Sequence, residues 1–179
     1  LTQLTCMDNA LGTLDLSKNT ALTQINCAAD QLTELKLPAG VQRLLCENNA
    51  LTALDVSGCT ALTYLKCANN QLATLHLGAN TALSTLIVSN NHLPSLDLSA
   101  NTALTAVTLG QQTITVNATQ QDNVFYAPVG GLAADGVVYQ DTEKYENGNF
   151  VTADYALMQN GFTYEYATGS DLAGAMTVD

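Results

Sequence analysis

The residues of this chain that could do chemistry are five cysteines, two histidines and a column of acids and bases. Cys6, Cys27, Cys46 and Cys67 recur at one place in a repeated segment, and Cys59 stands apart. Thiolates gathered around a point would hold a tetrahedral metal. Thiols at the same position of successive repeats form a line instead. Side-by-side neighbours on parallel strands also fail to converge on disulfide geometry. The remaining reading is that of small buried apolar side chains, with no metal and no cofactor. Asp15, Lys36, Asp55, His76 and Asp97 form a second column, alternating acid, base, acid, imidazole, acid. Opposite charges on adjacent strands stabilise by ~0.2–1 kcal/mol, so the column reads as a charge ladder and not as an acid–base site. His92 has no nucleophile beside it in the motif. HExxH, GxSxG and glycine-rich phosphate-loop patterns do not occur. The acidic loop 141–149 lacks the ligand order of a calcium-binding EF-hand and reads as a solvated loop. The expectation is a protein that is not an enzyme.

These residues are positioned by a repeat. Leu62 to Ala82 reads LTYLKCANNQLATLHLGANTA, and related segments begin at Leu1, Leu22, Val41 and Leu83. A sixth, from Leu104, decays by Val116. The copy from Leu22 is two residues shorter than the 21 of the others, its corner reduced to Pro38-Ala39-Gly40. In the copy from Leu62 the apolar positions are Leu62, Leu65, Cys67, Leu72, Leu75 and Leu77. Leu65 and Cys67 flank Lys66, and Leu75 and Leu77 flank His76. This period-2 alternation predicts two short strands per copy. A coil that cannot bury its own apolar ring must stack on its neighbours, which gives parallel strands ~4.8 Å apart. Asn9, Asp30, Asn49, Asn70 and Asn91 share one position after the first strand. A tight corner leaves backbone groups in need of partners, and a side-chain amide offers both donor and acceptor. Asp30 lacks the donor. A weaker set, Asn19, Cys59, Asn80 and Asn101, marks the other corner.

The pattern resembles the leucine-rich repeats, and among them the nested 21-residue class of bacterial surface proteins of Bacteroides-like organisms. It covers residues 1 to about 114. The resemblance implies a right-handed leucine-rich repeat solenoid of short parallel β-strands with little or no α-helix, stabilised by an asparagine ladder of Asn9, Asn49, Asn70 and Asn91. It also implies a secreted or cell-surface location and a protein partner, for example a host extracellular protein, bound on the first-strand face. On that face Arg43, Leu45, Tyr64, Lys66 and Ile87 form a mixed patch, and Tyr and Arg are favoured at contact centres. The expected function is a non-catalytic adhesion module. The alternatives are a passive spacer and a carbohydrate-binding module using Tyr64 and the tail aromatics, with a glycan as partner.

Composition changes near 117–124. Residues 1–116 hold seven acids and four bases, and residues 117–179 hold nine and one. Of the ten Tyr and Phe residues only Tyr64 precedes residue 125. We therefore read 1–116 as the solenoid and 117–179 as a small β-rich C-terminal module, in which residues 162–167 and 174–178 form a hairpin that buries Phe162, Tyr164 and Tyr166. Open solenoid ends need caps, and capping is the simplest role for this module. A net charge of −11 disfavours nucleic acid and anionic lipid surfaces. No apolar run reaches the ~20 residues that span a bilayer, so membrane insertion is not expected. The sequence opens at Leu1, in phase with the repeat, as a processed piece of a longer precursor would.

Overall fold

In the computed structural model of the chain, residues 1–78, 80–110 and 112–113 are described in full, together with the backbone of seven strands between Thr119 and Val178. The described residues contain no helix. The first strand of every repeat forms: β1 (Gln3–Thr5), β3 (Gln24–Asn26), β5 (Arg43–Leu45), β7 (Tyr64–Lys66), β9 (Thr85–Ile87) and β10 (Ala106–Thr108). They join in that order into one six-stranded parallel sheet. The register sets Arg43 beside Tyr64 and Leu45 beside Lys66, with Lys66 in turn beside Ile87. The fold is thus the leucine-rich parallel β-solenoid that the periodicity requires. Leu62, Leu65, Cys67 and Leu72 are completely buried, Leu77 nearly so, and Leu75 is half-buried. Stacked copies of this ring make one continuous core.

The second strands are β2 (Thr13–Asp15), β4 (Glu34–Lys36), β6 (Ala53–Asp55) and β8 (Thr74–His76). They pair two by two, β2 with β4 and β6 with β8. The expected continuous ladder is therefore broken. Asp15 faces Lys36 and Asp55 faces His76, but Asp97 lies outside any strand. One cause is visible at Pro94. Ala73, at the same place one coil earlier, donates its N–H to Thr52 O, and proline has no N–H to do so.

The inner corner after each first strand is held by side chains, as the asparagine positions demand. Asn70 donates from Nδ2 to Cys67 O of its own coil (3.1 Å) and to Cys46 O of the coil before (3.0 Å), while its Oδ1 accepts the Leu51 N–H (3.0 Å). Asn49 and Asn91 repeat this arrangement. Asp30 cannot donate. Its Oδ1 accepts the Asn9 N–H, and its Oδ2 takes a thiol hydrogen bond from Cys6 Sγ at 3.4 Å. The ladder also extends one rung beyond the asparagines. Gln112 is fully buried, donates to Leu109 O and Val88 O, and accepts the Leu93 N–H.

The residue before each rung, Asp8, Ala29, Asn48, Asn69 or Asn90, has φ between 54° and 63°. Asparagine tolerates this region better than most residues. Here it adds a second, exposed ladder, with Asn69 Nδ2 donating to Asn48 Oδ1 and Asn90 Nδ2 to Asn69 Oδ1. At the other corner Asn80 donates to Cys59 O and Asn101 to Asn80 O. Cys59 Sγ reaches Pro38 O. Asn19 is exposed in the first coil.

Beyond the solenoid, β11 (Thr119–Gln121), β12 (Val124–Pro128), β15 (Asn149–Thr152) and β14 (Lys144–Glu146) form an antiparallel sheet in that order. A second antiparallel sheet runs β13 (Val137–Val138), β16 (Tyr164–Ala167), β17 (Ala175–Val178). The hairpin near 162–178 pairs Tyr164 with Val178 and Ala167 with Ala175. Phe162, the side chains of Tyr164 and Tyr166, and most of the acidic loop 141–149 lie outside the described residues.

Removing one rung orphans a buried N–H and strips two carbonyls of a donor. Asn70→Ala is expected to cost about 3 kcal/mol, each buried unmet group being worth roughly 1–3. Asn9→Ala, at an exposed rung, is expected to cost under about 1 kcal/mol. Urea unfolding of the two variants measures the difference, and equal losses would contradict it.

Candidate binding face

Two surfaces carry the residues singled out from the sequence. The first is the outer face of the six-stranded sheet. Its backbone geometry is fixed from below by the apolar ring and from the side by hydroxyls entering β3, β7, β9 and β10. Thr23 Oγ1 donates to Thr2 O, Thr63 Oγ1 to Gln42 O, Ser84 Oγ to Thr63 O and Thr105 Oγ1 to Ser84 O. Each coil therefore repeats at nearly the same register, and outward residues align in rows.

Arg43, Leu45, Tyr64, Lys66 and Ile87 come together on three adjacent strands, β5, β7 and β9. Arg43 is exposed and the other four are half-buried. The Arg43 guanidinium carbon stands 3.8 Å from the Tyr64 ring centroid, a cation–π contact worth roughly 0.5–1 kcal/mol at an exposed site. Lys66 Nζ bonds Glu47 Oε1 at 3.0 Å. Glu47 Oε2 is buried with no hydrogen-bond partner. The Tyr64 stack and the Lys66 ion pair give both residues a structural task that the repeat pattern does not announce. Toward the first coil the face sinks into a shallow depression of ≈ 280 Å³, lined by Gln3, Thr5, Gln24, Asn26, Arg43 and Leu45 among others.

The second surface carries the acid–base column. Here the sequence reading needs correction. Asp15, Asp55 and Asp97 are turn residues more than ladder members, because each Oδ1 accepts the N–H two residues on, from Ser17, Ser57 and Ser99, at 2.9 Å. Ser57 Oγ adds a bond of 2.6 Å to Asp55. These serine bonds, hydroxyl first and N–H second, hold all three carboxyls below the ordinary aspartate value, with His76 a smaller contributor at Asp55. Lys36 turns to Glu34 of its own strand at 3.0 Å, and this bond heads the causes that raise its pKa, ahead of the charge of Asp15. The copies without Asp also lack Ser: Lys36 precedes Pro38, which has no N–H to give, and His76 precedes Gly78. Gly78 has φ 56°, and a Cβ there would stand 2.9 Å from Ser57 Cβ. Open grooves of ≈ 480 and ≈ 510 Å³ mark the two breaks, between β4 and β6 and beside β8. The signal for this arrangement was present as the recurring D-L-S or D-V-S triplet.

His92 is also structural. Its Nδ1 hydrogen-bonds the Thr113 carbonyl, fastening the fifth coil to the sixth. The cysteines are free thiols, Cys6 half-buried and the other four buried. Burial is the largest cause of every shift, raising Cys6 to about 11, with Asp30 adding to it, and Cys27 and Cys67 to about 12. Burial also pushes Cys46 well up and raises Cys59. A thiol must ionise to attack or to ligate, and these are held protonated at neutral pH.

No family model matches the chain, and no curated protein matches it. Among solved structures it is similar to the functional domain of InlJ from Listeria monocytogenes, described as including a cysteine ladder, at 20% identity and a TM-score of 0.40. The match covers 99% of this chain and 61% of that one. A likeness at this level carries nothing about function or partner.

Two predictions arise here. First, native protein treated with a thiol reagent at pH 7–8 is expected to react slowly, at Cys6 before the rest, and at all five sites once unfolded. Rapid labelling of Cys27, Cys46 or Cys67 in the folded chain would contradict the burial. Second, the folded Asp55 pKa is depressed, so its stabilisation is present above the unfolded value near 4 and is lost as pH falls through the folded value. The gap in unfolding midpoint between the parent and Asp55→Ala should therefore shrink on acidification from pH 6 to pH 2. A gap that stays constant or widens would contradict this.

Proposed function

We propose that the chain is a non-catalytic binding module, secreted or displayed at a bacterial cell surface, that engages a protein through its first-strand face. The observation that carries this reading is the continuity of Arg43, Leu45, Tyr64, Lys66 and Ile87 across β5, β7 and β9. The strands form a rigid platform, so the patch is presented with little ordering cost on binding. Aromatic, Arg and aliphatic side chains on adjacent strands of one face are the composition of a contact centre. The surface location rests on the resemblance of the repeat to those of bacterial surface proteins. Buried, protonated thiols and turn-forming aspartates leave the described chemistry-bearing residues with structural tasks, which supports the non-catalytic reading.

The carbohydrate reading is weaker on one specific ground. A sugar ring stacks on an open aromatic face, and the Arg43 guanidinium already occupies a face of Tyr64. The C-terminal module is proposed to cap the sixth coil, in line with the need of repeat arrays for ends that shield the core.

The test is affinity capture from extracellular proteins by three immobilised forms: the parent, an Arg43→Ala/Tyr64→Ala variant, and a Lys36→Ala/His76→Ala control on the other surface. Proteins retained by the parent and the control, and lost at least tenfold by the first variant, are expected. Equal retention by all three would refute the choice of face. Capture of nothing by any form would favour a passive spacer.

A further inference from the structure

Resting on the first-strand face as the binding surface, we infer that its ligand is an extended peptide segment that sets a carboxylate against Arg43 and an apolar side chain against Leu45 and Ile87. Charge placement comes first. The chain carries a net charge of −11, and the described residues hold two ion pairs, Lys36 with Glu34 and Lys66 with Glu47. Arg43 is in neither. Its guanidinium lies over the Tyr64 ring, which restrains it, and it forms no ion pair among the described residues. A guanidinium edge matches a carboxylate in bidentate fashion, and stacking in advance reduces the side-chain entropy lost on binding.

The surroundings fit the same ligand. The depression beside Arg43 is walled by the side chains of Gln3, Thr5, Gln24 and Asn26. They supply neutral donors and no carboxylate, so an incoming acid meets no like charge there. On the other side of Arg43 the row Leu45, Lys66, Ile87 runs across three strands. Glu47 neutralises Lys66 at 3.0 Å, so the row acts as an apolar strip with one paired charge. Arg43 on β5 and Ile87 on β9 are two strand spacings apart, about 9.6 Å, and two residues apart along the strand, about 6.6 Å, a diagonal of about 12 Å or roughly three to four residues of extended chain. The ligand is thus an acid followed or preceded, about three to four residues away, by Leu, Ile, Val or Phe, lying across the strands. An acidic sugar would satisfy Arg43 but would leave Leu45 and Ile87 without an apolar partner.

The experiment pans a display library of random octapeptides with blocked ends against the full chain. Titrations follow with a selected peptide, its acid-to-amide analogue and oligomers of galacturonic acid. Titrated proteins are the parent, Arg43→Gln, Arg43→Lys and a Leu45→Ser/Ile87→Ser variant, each checked for an unchanged circular dichroism spectrum and unfolding midpoint. The expected result is enrichment of an acid about three to four residues from a large apolar residue. Binding should weaken about tenfold or more in Arg43→Gln, less in Arg43→Lys, and fall with added salt. The parent should discriminate the acid from its amide, and Arg43→Gln should not. Peptides enriched without an acid, yet lost in Leu45→Ser/Ile87→Ser, would overturn the carboxylate inference and leave the face standing. Galacturonate oligomers bound through Arg43 with no peptide enriched would overturn the choice of peptide. Peptides indifferent to every variant, or no ligand at all, would overturn both inference and face.

Discussion

The constraint on which the solenoid depends is the inner corner after each first strand. There the chain turns inside the core, and its N–H and C=O groups lose water before a strand partner can replace it. A single side-chain amide solves this for two coils at once. Asn70 serves carbonyls of its own coil and of the previous one, and accepts an N–H from the previous one. The rungs are therefore bonds between coils as well as within them. They lie where the strand pairing ends, so they carry register from one coil to the next around the bend. That register aligns the outward rows and places Arg43 beside Tyr64.

Coils are not equivalent on the opposite side. Copies with Asp and Ser close a turn on themselves, and the first two of them pair with the copy that follows, whose equivalent residue is Lys36 or His76. The structural unit there is two coils, although the apolar pattern repeats with every one. The grooves between pairs follow from that alternation, and at the second of them Pro94 removes the N–H that would have closed it. The first-strand sheet has no such break and runs continuously through all six coils.

Much of this could be read from the residues. The apolar positions recur every 21 residues, or 19 in the second copy, so the strands, the core and the asparagine rungs follow from periodicity and the chemistry of a corner. Gln112 escaped because its side chain is one methylene longer than the pattern, although it occupies the position of Asn91 one coil on. The exposed Asn48, Asn69 and Asn90 ladder depends on a left-handed backbone before each rung, which no spacing reveals. Cross-strand charge is a poor guide to Asp15, Asp55 and Asp97, whose nearest donors lie two residues away in sequence. The partners of Tyr64 and Lys66 depend on rotamers, so the sequence could place these residues on the face without saying that Arg43 and Glu47 engage them. The aromatic tail has no repeat to calibrate it, and only its short alternating runs could be assigned.

Native-state hydrogen exchange tests the corner directly. The amides of Leu32, Leu51, Leu72 and Leu93 each donate to a ladder side chain and lie outside the strands. If the ladder couples the coils, these four exchange as slowly as the strand amides of Leu44 and Leu65, by opening of the solenoid as a whole. Exchange orders of magnitude faster at the four, with the strands still protected, would mean that the corners open independently and that the ladder does not hold the coils in register.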